Sequence, residues 1–325
     1  PLTFFSTIPY TSEFSYIQLA LEEIESSGEG GHVRSDILEF EHTADLMQIP
    51  VIAANESHVY ESIGKRSTFN IREVNTFEGK SQNIFSIQML VRNDEKRLSK
   101  LIDMVPNLHL SDGTIYPMQL SEIESQIRPN GHALVHIWTQ LPKDTSTDDA
   151  QLILGEAVTS GGQEGATLVA YINPVSYTVP TEDLGVTDDL TELDFYPYTI
   201  SIDKLTSSIQ YGENTLTIDF DYTLDKDTLV ETNNPNQRLI IELEDTAADV
   251  KFEKSYSFEG NGDGSGADYV LELGSNSGVF EAQDNELVFK IETLKDFNLR
   301  VYYEYEPGHK KLIADKTVGW FKTLK

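Results

Sequence analysis

Residues 85–91 read FSIQMLV, and residues 216–222 read LTIDFDY. In both stretches every second residue is apolar, which is typical of an extended strand that packs one of its two faces against a core. The residues on that face are Phe85, Ile87, Met89 and Val91 in the first stretch, and Leu216, Ile218, Phe220 and Tyr222 in the second. The two predicted strands start 131 positions apart, which suggests that a larger unit is repeated.

Two further pairs of similar segments repeat at nearly the same interval. TFNIREV at 68–74 is similar to TISIDKL at 199–205, which starts 131 positions later. LHLSD at 108–112 is similar to IELED at 241–245, which starts 133 positions later. This period is too long for a solenoid repeat and matches whole domains in tandem. The sequence therefore predicts consecutive all-β domains.

The first residues of the chain match a segment from its middle. Residues 4–28 align without a gap on residues 137–161, with seven identities in 25 positions, where average composition predicts about one or two. Alternating Ile17, Leu19 and Leu21 favour a strand in this segment. The alternative is a helix that begins at Ser12 and ends at Gly28, with an apolar stripe on one face. The strand is favoured because the second copy, AQLILGEAV, is short and also alternates.

Turn-forming residues separate the predicted strands, a pattern that predicts immunoglobulin-like β-sandwiches. The arrangement also resembles a telokin-like, immunoglobulin-like domain family that is common in secreted lipoproteins of Gram-positive bacteria. The positions that carry the resemblance are Asn93, Asp112, Gly113, Tyr116, Pro129, Gly131, Trp138 and Pro142. It covers about residues 66–180, and more weakly 196–325 and 1–58; the last copy lacks the Pro-x-Gly and the terminal Pro. The resemblance implies no agreed activity, and suggests binding or assembly at the cell envelope.

The repeat divides the chain into three predicted units. They are residues 1–58, the C-terminal part of an incomplete domain, then two complete domains at 59–186 and 187–325. The missing first strands could lie upstream in the polypeptide, or another subunit could supply them by donor-strand assembly. Alternatively, residues 1–58 could fold as a helix and a strand packed on the next domain. Residues 44–57 and 181–197 are the expected linkers, the second acidic, solvated and extended.

Charge and cysteine content exclude several classes of site. The chain has 325 residues, with 54 acidic and 24 basic side chains and a formal charge of −30. Such a field repels phosphate, so nucleic acid is not an expected partner. The chain has no cysteine, which excludes disulfides, thiolate metal sites and cysteine nucleophiles. No stretch is apolar over the length of a membrane span, and no segment of these residues is predicted to be a signal peptide.

A glycine-rich segment at 261–272, NGDGSGADYVLE, is the strongest candidate for a metal site. Its oxygen-bearing residues have nearly the spacing of a calcium loop, with glycine at the sixth position. These candidate ligands are Asn261, Asp263, Ser265, Asp268 and Glu272. However, no helix is predicted on either side, and DYVLEL is typical of a strand that would turn Glu272 away. A hairpin loop without a cofactor is therefore the preferred interpretation, with calcium as the alternative.

The remaining candidates are interpreted as structural. His132 and His136 have the spacing of helical zinc ligands, but HALVHIW alternates as a strand, which favours structural histidines. The aromatic residues of 299–306 are interpreted as a strand with one core face, and His309, Lys310 and Lys311 as the solvated tip of a hairpin. The carboxylate pairs are expected in a chain with so many acidic residues, and no nucleophile, nucleotide or zinc-protease motif occurs.

The sequence therefore predicts a non-catalytic extracellular or cell-surface protein that acts in envelope structure, assembly or adhesion. Its expected partners are other protein subunits or a component of the cell envelope. Homo-oligomers could form through the incomplete first domain. The alternative is a set of accessory β-domains of a secreted carbohydrate-active enzyme whose catalytic part lies outside this chain.

Overall fold

The computed structural model describes residues 16–27, 31–43, 49–62, 65–121, 123, 125–160, 167–182, 185–210, 214–233, 237–245, 249–258, 269–284, 290 and 296–323. The named elements of more than one residue in these ranges are strands, which confirms the all-β prediction. Within the same ranges, no helix has the length and apolar character needed to cross a membrane.

Two long strands near the start of the chain form a hairpin. They are β1 (Tyr16–Ser27) and β2 (Gly31–Thr43), which pair antiparallel from Tyr16 opposite Thr43 to Ser27 opposite Gly31. The register shifts once, after Leu21, as expected at a β-bulge. The strand interpretation of residues 16–24 is thus confirmed, and the helical alternative is wrong.

Residues 51–178 form a first sandwich of two sheets. Its strands are β3 (Val51–Ile52), β4 (Ser57–Ser62), β5 (Lys65–Phe77), β6 (Gln82–Asn93), β7 (Met104–His109), β8 (Ile115–Pro117), β9 (Gln119–Leu120), β10 (His132–Pro142), β11 (Gln151–Ser160) and β12 (Thr167–Thr178). One sheet has the order β4-β5-β6-β10, with β9 beside β10, and the other has the order β3-β12-β11-β7-β8. This alternation of hairpins between two sheets is the Greek-key arrangement of an immunoglobulin-like sandwich.

Residues 193–323 repeat the same arrangement. The strands are β13 (Leu193–Phe195), β14 (Tyr198–Gln210), β15 (Thr215–Lys226), β16 (Val230–Thr232), β17 (Arg238–Asp245), β18 (Val250–Phe258), β19 (Tyr269–Leu271), β20 (Gly274–Gln283), β21 (Phe297–Glu306), β22 (His309–Val318) and β23 (Phe321–Thr323). The orders β13-β14-β15-β20 and β19-β18-β17-β21-β22 place the segments that repeat in sequence at equivalent positions. The 131-residue interval therefore corresponds to a structural repeat.

The apolar residues that alternate along the predicted strands lie in the cores of the two sandwiches, as predicted. Phe85, Ile87, Met89 and Val91 of β6 are at most 1% exposed and lie in the core of the first sandwich. The equivalent residues of β15 line the core of the second sandwich. Gly278 on the neighbouring strand β20 leaves room for the Phe220 ring, because a Cβ there would lie 2.4 Å from that ring. Apolar burial on this scale is the main favourable contribution to folding.

The predicted turn residues hold the loops of the first sandwich. Asn93, 1% exposed at the end of β6, donates its side-chain N–H groups to the carbonyls of Arg97 at 2.9 Å and Ile127 at 2.8 Å. Asp112 accepts a hydrogen bond from the Thr114 N–H, and Gly113 has a φ of 87°, which glycine adopts without strain. The turn chemistry deduced from sequence is therefore present.

The predicted linkers are parts of the sandwiches. In the first, Val51–Ile52 forms β3 and pairs in parallel with β12. The second predicted linker contributes three residues to the core of the second sandwich. They are Leu190, Leu193 and Phe195, each at most 3% exposed. Asp188 and Asp189 are exposed, in agreement with the expected solvated segment, but the expectation is wrong from Leu190 onward, where sparse apolar residues spaced among carboxylates supply a core strand.

Candidate interaction site between the sandwiches

Backbone hydrogen bonds join the two sandwiches directly. Strand β16, which belongs to the second repeat, pairs in parallel with β10 of the first and extends that sheet by one strand. A second junction is formed by Glu78 and Lys310, whose N–H and carbonyl groups exchange bonds of 2.9 and 3.1 Å. Covering the edge of β10 in this way removes an unpaired sheet edge.

Aromatic side chains fill the space beneath these backbone contacts. Phe77 and Ile84 lie on strands of the first sandwich, yet they pack into the core of the second and are 1% and 0% exposed. The Phe77 ring meets Tyr303 edge-on with centroids 4.9 Å apart, and stacks on Tyr305. Trp138 approaches Tyr305 from β10, with ring centroids 6.2 Å apart. The cores of the two repeats therefore meet at this joint.

Arg72 forms one polar contact at the rim of the joint. Its guanidinium pairs with Asp194 and lies 4.0 Å from the centre of the Tyr196 ring, so it makes an ion pair and a cation–π contact with the second repeat. Burial raises the pKa of Tyr196 to about 12, with a further contribution from Asp227. Arg72 thus fixes the start of the second repeat against β5.

Lys311 forms a second polar contact at the joint. Its ammonium donates to the Asn75 side-chain oxygen at 2.7 Å and lies 3.2 Å from the Glu182 carboxylate. Glu182 also accepts a hydrogen bond of 2.7 Å from the Thr76 N–H. The side chains of Lys311 and Glu182 are 11% and 13% exposed, so this ion pair is largely shielded from water. The expectation that residues 309–311 form a solvated tip is wrong.

His136 lies on the face of β10 that turns toward the second repeat. It is 1% exposed, its ring centre is 5.7 Å from that of Tyr305, and its Nε2 has no hydrogen-bond partner. Burial lowers the pKa of His136 to about 4, and the charge of Arg72 adds to this effect. Burial also raises the pKa of Tyr305. His136 is therefore neutral at pH 7 and belongs to the packing of the joint.

A groove of about 940 Å³ opens beside the joint. Its lining includes five lysines of this acidic chain, which are Lys80, Lys143, Lys251, Lys310 and Lys311. At its base the Glu242 carboxylate, with a side chain only 1% exposed, lies 2.8 Å from Lys251 and 3.2 Å from Arg300. It also accepts a hydrogen bond of 3.2 Å from the Tyr302 hydroxyl. The groove is therefore a polar surface built on a fixed, buried carboxylate.

The contacts around Glu242 determine which groups in the groove are ionised. Burial would raise the pKa of Glu242, but the hydrogen bond from Lys251 and the charges of Lys310 and Lys251 outweigh burial and lower it. Burial and the neighbouring Glu242 raise the pKa of Tyr302 to about 12. Glu242 is thus ionised and Tyr302 is neutral near pH 7. This arrangement is suited to holding β17, β18, β21 and β22 together.

The predicted calcium loop lies mostly outside the described residues. Asn261, Asp263, Ser265 and Asp268 fall in the undescribed range, so calcium binding stays a prediction. Glu272 is exposed immediately after β19, and its N–H donates to the Tyr222 hydroxyl at 3.0 Å. Within the described ranges, no group of three or more His, Cys, Asp or Glu side chains could hold a metal ion.

Other sequence candidates occupy structural positions. Val301, Tyr303 and Tyr305 face the core from β21, and the turn at Pro307–Gly308 joins β21 to β22 as predicted. His132 and His136 lie on strand β10 as expected. The residues that sequence analysis missed are those of the joint, above all Phe77, Lys311 and Arg72. No local sequence pattern marked these residues, because each makes its contacts with the other repeat.

The sequence has no matching protein-family model, and no curated protein matches it. Among solved structures, it is similar to an uncharacterized β-sandwich protein from Clostridium difficile, with 15% identity and a TM-score of 0.28 over 41% of this chain and 95% of that one. A DUF4785 family protein from Legionella pneumophila shares 11% identity, with a TM-score of 0.21 over 78% of this chain. The match spans 57% of that protein. At these TM-scores no property of either protein is transferred to this chain.

Proposed function

We propose that this chain is a non-catalytic extracellular or cell-surface protein whose tandem immunoglobulin-like modules act in envelope structure, assembly or adhesion. The observation that carries the proposal is the joint between the two sandwiches. A protein that spaces or presents binding surfaces needs modules in a fixed relative orientation. Interfaces between domains of one chain otherwise tend to permit relative motion unless they are large and apolar.

Three features of the joint support a rigid connection. The sheet of the first sandwich continues into β16. Phe77 and Ile84 are shared with the core of the second sandwich. The shielded pair of Lys311 and Glu182 adds a contact whose geometry is specific. Together these contacts hold the modules by backbone, apolar and ionic interactions, so that bending the joint would break all three.

The negative charge of the chain disfavours polyanions as partners. With a formal charge of −30, the surface repels nucleic acid and favours basic proteins or cationic groups of the cell envelope. In this proposal the modules belong to the telokin-like family, and residues 1–58 contribute to assembly with other subunits. Accessory β-domains of a carbohydrate-active enzyme are the second candidate, which rests on the same sandwich fold.

The location and class of the protein can be tested in cells that produce it naturally. We expect an antibody against this chain to label intact, unpermeabilised cells, and external protease to remove the signal. Labelling that requires permeabilisation would contradict the proposal. Hydrolysis of a polysaccharide by the full gene product, lost when the region outside this chain is removed, would favour the enzyme alternative.

Rigidity of the joint can be measured separately by placing one spin label on each sandwich. Because the chain has no cysteine, the double variant Leu98→Cys and Val270→Cys would carry labels only at two exposed sites, which are 57% and 65% exposed. We expect a single narrow distance distribution. Adding Phe77→Ala should broaden it, and a broad distribution before that change would contradict the rigid connection.

A further inference from the structure

A hollow opens into the core of the first sandwich, away from the joint. Its volume is about 370 Å³. Its deepest lining residues are Met89, Ile137 and Leu154, which are only 0%, 1% and 0% exposed. Protein interiors contain few voids larger than a water molecule, and ligand pockets begin at roughly 300 Å³. The hollow therefore has the size of a small-molecule site and an apolar interior.

Hydrogen bonds hold the outer wall of the hollow in place. Lys65 donates from its ammonium to the Leu101 carbonyl at 2.9 Å, and the Asp103 carbonyl accepts from the Ala157 N–H at 2.7 Å. The backbones of Ser99 and Ile127 exchange two bonds, of 3.1 and 2.9 Å. The wall at 99–103 is thus fixed at three points, which keeps it from collapsing onto the apolar lining.

Two lysines and one aspartate line the hollow, so that cationic side chains outnumber anionic ones there. Lys65 and Lys100 both line it, together with Asp103 and Ser121. After its bond to Leu101, the Lys65 ammonium keeps two further N–H donors. In the part of the chain that the structure describes, neither lysine forms an ion pair. In a chain with a formal charge of −30, two unpaired cations above an apolar hollow complement an anionic head group.

We propose that this hollow binds a small amphiphile with an apolar tail and a carboxylate head. The tail would contact Phe69, Met89 and Leu154, and the head would accept hydrogen bonds from Lys65 and Lys100. At ~30 Å³ for each water-sized group, the volume holds about 12 non-hydrogen atoms, which is the size of decanoate. This binding is independent of the joint and extends the role of the first sandwich beyond spacing.

Methyl NMR and calorimetry can test the proposal with decanoate as the probe. The chain has four methionines, and with ¹³C-methyl labelling we expect decanoate to shift the Met89 signal in a saturable way. Ile123→Trp, at the half-buried wall, should weaken binding more than 10-fold by filling the hollow. The matched control Leu273→Trp, at an exposed site of the second sandwich, should leave the affinity unchanged. Val135→Phe provides a second filling variant if Ile123→Trp does not fold.

The role of the carboxylate head group can be tested by changing the charge of the protein and the charge of the ligand separately. Lys100→Gln should weaken decanoate about 3- to 10-fold, as expected for loss of one charge-assisted hydrogen bond, and should not change the affinity for decanol. Decylammonium should bind more weakly than decanoate. The proposal is overturned if decanoate does not bind, if a folded filling variant binds it equally well, or if decylammonium binds as tightly.

Discussion

Phe77 of the first sandwich stacks on Tyr305 of the second, with ring centroids 5.2 Å apart and ring planes at 28°. The two residues belong to different repeats, yet both are buried in one apolar cluster. Aromatic pairs of this kind contribute beyond the area that they bury. The second core is therefore incomplete without the first sandwich, and the two repeats are expected to depend on each other for stability.

Cooperative unfolding is the first consequence. We expect the parent protein to show one main calorimetric transition for residues 49–323, and Phe77→Ala to separate it into two. The change should reduce the free energy of unfolding by about 3–5 kcal/mol, as for other buried Phe-to-Ala substitutions. Leu108→Ala, within the first core, should lower stability without separating the transitions. Two resolved transitions in the parent protein would contradict the shared core.

Removing the ammonium of Lys311 should weaken the joint with little change in packing. Lys311→Met keeps much of the aliphatic stem and removes the contacts with Asn75 and Glu182. We expect a loss of about 2 kcal/mol in urea unfolding at pH 7, the scale of hydrogen bonds to charged groups. Lys316→Met, at an exposed position of the same strand, is the control and should change stability by less than ~0.5 kcal/mol. Equal effects of the two substitutions would argue against a role for the pair.

Strands, turns and cores could be predicted because each depends on local pattern. Alternation in FSIQMLV sets which face of β6 enters the first core, and the Pro307–Gly308 turn sets the hairpin β21–β22. The repeat interval then predicts that the second sandwich follows the first in order. These features need no knowledge of how the sandwiches meet.

The joint could not be predicted because it depends on how two folded modules pack. Ser86 and Gln88 alternate with the core residues of β6 and have the composition of a solvated face, yet each is 1% exposed. Likewise, Lys310 and Lys311 follow a turn, where charged residues are normally solvated. In each case the other repeat contributes to the surroundings of these residues, and no local pattern specifies which surface a neighbouring domain will cover.

The loop at 261–272 gives a prediction that sequence alone supports. The preferred interpretation, a hairpin loop without a metal, predicts no change in melting temperature between 5 mM EDTA and 5 mM calcium. A calcium-dependent increase that Asp263→Ala abolishes would instead support the calcium alternative. Asp148→Ala, in a different acidic loop, controls for general effects of charge. The same measurement with magnesium at equal concentration distinguishes specific calcium binding from general charge screening by a divalent cation.

His136 should make stability fall as the pH decreases below neutrality. Its pKa is about 4 in the folded protein and about 6.5 in an unfolded chain. Folding thus favours the neutral ring. Its contribution to the free energy of unfolding is complete above pH 6.5 and is lost progressively as the pH falls toward 4. Linkage gives a total of about 3 kcal/mol over that window. Urea unfolding of His136→Leu should show a smaller loss between pH 7 and 5 than the parent protein. Identical pH profiles would show that His136 does not titrate in this way.

Glu242 should act in a different pH window. Its folded pKa is lowered, so the carboxylate stabilises the protein above the ordinary glutamate pKa of about 4.3. This contribution decreases as the pH falls through the lower, folded value. Glu242→Gln should therefore lower the free energy of unfolding by about 1–3 kcal/mol at pH 7. The difference in free energy of unfolding between this variant and the parent should shrink only below about pH 4.3. Glu281→Gln, at an exposed position on β20, is the matched control. A difference between Glu242→Gln and parent that stayed constant down to pH 3 would mean that the lysines and Arg300 do not hold this carboxylate in its ionised form.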